Sequence, residues 1–225
     1  MIPWETIERA AAPDGAELVL ARHGDEWAVR AAGRVLMTSR LHGSEEALAA
    51  LALERLARPP RAVLIGGLGM GFTLRAALDR LPATCAVTVV ELVAALAEWN
   101  RGTLGDLAGR PLEDRRVRLE VGDVAARIAA ARPHAFDAIL LDVDNGPAAL
   151  AHAANDRLYG AAGIAAAAAA LRPGGVLAVW SAAPDDRYLA RLRRGGLEAS
   201  AVPVPAGRGS GACHVVFVGR SPARR

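Results

Sequence analysis

Lysine is absent from this chain: all 27 basic residues among its 225 are arginine, and formal charge is only +3. A uniform replacement of this kind is a bias of composition spread over the surface, so the basic balance does not imply nucleic acid. Acids are interleaved with the arginines along most of the chain; only Arg187 to Arg225 is predominantly basic, and no stripe of aromatics accompanies it. Aromatic residues make up just 4%. Cysteine is scarce as well, with Cys85 and Cys213 far apart in strand-like apolar stretches. No C-x-x-C pair exists, and the two are expected as buried free thiols in a reducing, cytoplasmic setting. No apolar run is long enough to span a bilayer, Met1-Ile2-Pro3-Trp4-Glu5 has no basic and apolar export pattern, and a soluble protein is expected.

What is abundant is apolar surface. Hydrophobic residues account for 52% and charged ones for 23%, which excludes disorder; a chain of this length buries roughly 70–75% of what its unfolded form exposes. The expected organisation is a small N-terminal extension over 1–43 and one larger domain over 44–225. In the extension a short helix is predicted around Trp4 to Ala12. A β-meander follows over Glu17 to Leu41, its runs separated by His23-Gly24-Asp25 and Ala32-Gly33. Ser44-Glu45-Glu46 reads as a capped helix start, and Arg58-Pro59-Pro60 ends that helix.

Beyond residue 60 strand-like runs alternate with helix-length segments. The strands are predicted at Ala62 to Ile65, Ala86 to Val90, Val117 to Val121, Ala138 to Leu141 and Val176 to Trp180. Helix formers fill Thr73 to Arg80, Leu92 to Asn100, Val124 to Ala131, Ile164 to Leu171 and Asp185 to Arg194. Leu197 to Val204 and Cys213 to Val218 then follow with no room for a helix between them, so they pair antiparallel. The fold class is α/β: a Rossmann-like doubly wound seven-stranded sheet, mostly parallel, with an antiparallel edge hairpin.

Four segments carry chemistry. Val63-Leu64-Ile65 runs into Gly67-x-Gly69-x-Gly71 and then a helix, as where backbone turns sharply and approaches a ligand. Glu91 ends the next strand about 20 residues on, the separation at which an acid meets ribose hydroxyls. Asp123 follows the third strand and either faces the same crevice or caps the next helix. Asp142 ends the fourth strand, with Asp144 and Asn145 in the turn behind it. His42 is a further candidate near the sheet entrance. Residues 148 to 159, with Tyr159 at their end, form a candidate lid. Trp99 and Trp180 are read as core or pocket-wall rings. The histidines show no metal-ligand spacing, and no metal is predicted.

In this order the motifs resemble the class I fold of S-adenosylmethionine-dependent transferases, and within it the spermidine synthase (polyamine aminopropyltransferase) family. The resemblance covers Ala62 to Gly219 through the glycine loop, Val90-Glu91-Leu92, Arg116 to Asp123, Phe136 to Asp142 and Leu171-Arg172-Pro173-Gly174-Gly175-Val176-Leu177. It implies S-adenosylmethionine or its decarboxylated form as donor substrate, Glu91 on the ribose, Asp123 on the adenine amino group and Asp142 as base toward a small-molecule amine acceptor. It also admits a homodimer. The glycine loop, Gly66-Gly67-Leu68-Gly69-Met70-Gly71, lacks the aspartate that the family usually carries there, and Leu41-His42-Gly43-Ser44-Glu45-Glu46 stands where the family has a Tyr-His-Glu signature. Methyl transfer on the same scaffold, or a non-catalytic nucleoside-binding or assembly protein, are the alternative readings.

Overall fold

The computed structural model describes residues 3–13, 15–143, 157–207 and 211–223. Two sheets organise the chain. Strands β1 (Glu5–Ala11), β2 (Glu17–His23), β3 (Glu26–Ala31) and β4 (Arg34–Thr38) form an antiparallel sheet in sequence order. The segment predicted as a helix over Trp4 to Ala12 is therefore a strand: β1 pairs with β2 from Glu5↔Arg22 to Ala11↔Glu17. Its local propensity is overridden by the open edge of β2, which satisfies backbone groups that a short isolated helix would leave exposed to fraying.

The second sheet contains β5 (Ala62–Gly66), β6 (Ala86–Glu91), β7 (Val117–Val121), β8 (Phe136–Leu141), β9 (Leu171–Ser181), β10 (Glu198–Pro205) and β11 (Cys213–Arg220). Its order is β10-β11-β9-β8-β5-β6-β7. The first five are parallel neighbours, while β11 runs antiparallel to both β9 and β10. All six residues of β8 are buried, as expected of a strand covered on both faces. The chain moves from β5 outward through β6 and β7, then returns to β8 on the other side of β5. That reversal opens a crevice at the carboxyl ends of β5 and β8, where doubly wound sheets bind ligands.

Helices α1 (Gly43–Glu54) and α2 (Phe72–Leu78) cover one face; α4 (Val124–Ala129), α5 (Ala161–Ala170) and α6 (Asp186–Arg194) cover the other, with α3 (Ala94–Arg101) after β6. Alanine, the strongest helix former, makes up most of α5. Asp185 caps α6 by accepting the Tyr188 N–H at 2.8 Å, and Arg191, Arg193 and Arg194 sit in its last turn, opposite in sign to the carbonyl end of the helix dipole. Ser44 does not cap α1: the cap position is His42, without a side-chain bond, because the Ser44 side chain is buried and turned elsewhere.

A third apolar cluster joins the two sheets, Leu18, Leu20 and Val29 of the small one packing with Met70, Leu96, Trp99 and Leu104 of the large. Each such fully buried side chain contributes about 1.5–3 kcal/mol, so the N-terminal sheet is anchored over the crevice by a shared core. Beneath, Asp137 ties three strands together. One of its carboxylate oxygens accepts the Arg61 and Ala62 N–H groups at 2.7 and 3.0 Å and the Arg172 guanidinium at 2.5 Å. Cys85 is buried as expected; Cys213, at the start of β11, is exposed, since that strand enters the sheet from the hairpin turn.

Candidate functional site

The strand tips are knitted together by the loop that follows β5. Gly67 N–H donates to Val90 O at 2.9 Å, Asp142 N–H to Gly66 O at 2.8 Å, and Gly122 N–H to Glu91 O at 2.8 Å. Gly67 has φ +86°, and a Cβ there would lie 2.0 Å from the Asp142 carbonyl oxygen. Glycine at this position is thus required by contact between the loop and the end of β8, before any ligand is considered. Gly71, at φ +87°, begins α2. Asn100, buried on α3, holds the middle of the loop, its amide donating to Gly69 O and Leu96 O, each at 2.8 Å. Sequence reading did not single out Asn100; its signal was only a polar residue on the buried side of an otherwise apolar helix stripe.

Above these tips lies a cavity of about 630 Å³, within the range that takes a small organic ligand. Its walls include the glycine loop, Glu91, Asp123 and Asp142, so the four candidate segments do converge. The small sheet roofs it with Val35, Leu36 and Met37. Glu91 is 5% exposed; its two oxygens accept Leu68 N–H at 2.7 Å and Val93 N–H at 2.8 Å, which locks the carboxylate between the glycine loop and the turn after β6.

Asp142 accepts the Thr73 hydroxyl at 2.5 Å. Burial pushes its carboxyl up to about 6; the Thr73 bond opposes this and the charge of Glu91 adds to it. A second carboxylate shares this wall. Glu45, on the first turn of α1, is pushed up to about 7 by burial and by the charge of Asp142, against the pull of its bond from Ser44. The Thr73 hydroxyl also lies 3.5 Å from the Glu45 backbone carbonyl, so it bridges the first turn of α1 and Asp142.

The Glu45 carboxylate is held from behind. Ser44 Oγ–H donates to Oε2 at 2.6 Å, and His214 Nδ1 of β11 lies 3.0 Å from the same hydroxyl. Serine has one hydrogen to give, so with that hydrogen on Glu45 the imidazole carries its own on Nδ1 and donates to Ser44. Burial lowers the His214 pKa and favours this neutral ring. Trp180 packs edge-on against His214, ring centres 4.7 Å apart, and both line the cavity. Glu45 and His214 were not predicted, since Ser44 and His214, 170 apart in sequence, meet only because β11 returns beside the α1 entrance.

The remaining candidates divide. Asp123 borders the cavity, yet also caps α4, accepting Ala125 N–H at 2.8 Å, and pairs with Arg157 at 3.4 Å. His42 lies outside the cavity lining, stacked on Phe72 with ring centres 4.1 Å apart and with Nδ1 2.9 Å from Glu46. Tyr159 is fully buried, its hydroxyl donating to Val143 O at 3.2 Å and its ring edge-on to Tyr188, so its side chain packs in the core. Asp144, Asn145 and residues 148–156 of the proposed lid lie outside the described residues. Trp99 is a core ring and Trp180 a wall of the cavity. Among the described residues no group of three or more His, Cys, Asp or Glu is arranged to hold a metal ion, and no helix is long and apolar enough to cross a membrane.

No protein-family model matches the chain. The polyamine aminopropyltransferase of Mycobacterium tuberculosis (strain CDC 1551 / Oshkosh) is 31% identical over 170 residues, covering 75% of this chain and 31% of that protein. Putrescine N-methyltransferase 2 of Nicotiana attenuata is 35% identical over 134 residues, 59% of this chain and 33% of its own. The chain thus spans about a third of the length of these curated relatives. Among solved structures, spermidine synthase in complex with the transition state analogue AdoDATO superposes with a TM-score of 0.81 at 17% identity, covering 97% of this chain and 74% of that one. Spermidine synthase from Thermotoga maritima gives 0.77 at 17% identity, covering 97% and 73%.

Proposed function

We propose that this chain, which shares the fold of spermidine synthase, is a spermidine synthase-like transferase that moves a carbon group from an adenosyl sulfonium donor to an amine, with decarboxylated S-adenosylmethionine as donor and the aminopropyl group as cargo. The observation that carries this reading is the desolvated Asp142 carboxylate on the same cavity wall as the glycine loop that Glu91 clamps. The named relatives, an aminopropyltransferase and a putrescine N-methyltransferase, support the same reaction class.

In this scheme Glu91 takes the ribose hydroxyls and Asp123 the adenine amino group. The sulfonium carries its own leaving group, so the protein's task is to place the amine in line and remove a proton. The amine nitrogen attacks the carbon next to sulfur; the C–N bond forms as the C–S bond breaks. The electron pair of the broken bond stays on sulfur as a neutral thioether, methylthioadenosine, and the nitrogen's proton passes to Asp142. A carboxyl raised to about 6 from 3.8 is a better proton acceptor than an ordinary aspartate, yet is still mostly ionised at neutral pH.

Calorimetry with S-adenosylmethionine, its decarboxylated form and methylthioadenosine, followed by mass analysis of the amine product, tests this. Binding of the decarboxylated donor and a gain of one aminopropyl group are expected; no heat with any of the three ends the transferase reading. Methyl transfer is the second reading, favoured by the acid-free glycine loop and by the putrescine N-methyltransferase relatives. It is the outcome if intact S-adenosylmethionine alone binds and the amine gains a methyl group.

A further inference from the structure

The loop after β5 offers no acid, while the cavity it borders is acidic from another direction. Glu45 enters from the first turn of α1, and lines the cavity together with Asp142, Trp180 and His214. Its orientation is not left to solvent. Ser44 is fully buried and donates to Glu45, and His214, anchored on β11 and packed against Trp180, holds Ser44 in turn. Burying a carboxylate beside a second one is unfavourable unless it takes up a proton or a cation comes between them. Such an arrangement therefore suits a place where positive charge is received, in a cavity that Trp180 also lines.

Resting on the transfer reading above, we propose that Glu45, held through Ser44 by His214, is the second carboxylate of the acceptor site and binds the ammonium group of a primary alkylamine against Asp142. Glu45 thereby supplies from α1 the negative charge that the glycine loop lacks, and His214 is its positioning residue. The charged groups acting on Glu45 are Asp142 from β8 and Glu46 of its own helix, with His214 reaching it only through Ser44. Both acids raise its affinity for a proton in the empty site and for an ammonium in the filled one.

The test is binding of putrescine and of n-butylamine to the complex with methylthioadenosine, by calorimetry across pH 5.5–9. In Glu45→Gln, methylthioadenosine should bind within about twofold of the unaltered chain while both amines weaken tenfold or more. Glu45→Asp should recover part of this. His214→Phe, which keeps a ring against Trp180 but removes Nδ1, should weaken the amines several-fold, and the rise in amine affinity through pH 7 should flatten in both Glu45→Gln and His214→Phe. Amine binding within twofold in Glu45→Gln, or a loss confined to the nucleoside, overturns the inference. If methylthioadenosine binds the unaltered chain and neither amine does, the inference fails alone; if methylthioadenosine does not bind, the transfer reading itself fails. Should Glu45→Gln not fold, His214→Phe carries the decision: several-fold weaker amines with methylthioadenosine unchanged support the inference, and amines within twofold overturn it.

Discussion

Replacing Asp142 by asparagine should make the protein more stable while making it inactive, and the gain should depend on pH. The carboxyl is raised from 3.8 to about 6, chiefly by burial. A group whose folded pKa lies above its unfolded value favours the fold when protonated; that contribution is complete below about pH 4 and is lost as pH rises through 6. A shift of about two units corresponds to roughly 3 kcal/mol. The opposing Thr73 bond is already included in that raised value, so Asp142→Asn should gain about 2–3 kcal/mol at pH 8 and none at pH 4. In a domain of this size that is a rise in Tm of roughly 4–12 °C. Thermal melts of both proteins at pH 4, 6 and 8, beside a turnover assay with decarboxylated donor and putrescine, measure it. A variant equally or less stable at pH 8, with a difference that does not change with pH, would refute the picture of a desolvated carboxylate held for chemistry; retained turnover would remove Asp142 from the base role.

Three further outcomes are expected. Asp137→Ala strips the partners from Arg172 and from the Arg61 and Ala62 amides beneath the sheet, and should lower stability by about 3–5 kcal/mol in urea unfolding, with donor affinity in the surviving folded fraction unchanged. Asn100→Ala releases the Gly69 carbonyl and should weaken methylthioadenosine binding about tenfold, which is about 1.4 kcal/mol, alongside a stability loss of about 1–3 kcal/mol; equal affinity would show that the loop needs no tether. A thiol reagent at pH 8 should label the exposed Cys213 within minutes and leave Cys85 for the unfolded chain, since Cys85 is buried and its thiol is pushed up to about 11. Prompt labelling of both would contradict the burial of Cys85 in the core cluster with Leu74 and Leu78.

Much of this protein is written in local pattern. The continuous apolar runs of β5 and β8 can only be strands covered on two faces, and their alternation with alanine-rich helices sets a parallel sheet with its ligand crevice at the strand ends. Glu91 and Asp142 were legible for the same reason: a carboxylate directly after a buried strand has nowhere to point but the crevice. What sequence did not determine are the pairings between distant segments. Trp4 to Ala12 became a strand because the edge of β2 was available, and Tyr159 went into the core because Tyr188 and the Val143 carbonyl could receive it. Glu45 entered the cavity because the last strand brings His214 to Ser44, and the Gly67 requirement belongs to the Asp142 backbone that lies against it. Periodicity and turn chemistry are properties of neighbours along the chain; charge held in a cavity is a property of neighbours in space, and only the folded sheet makes those.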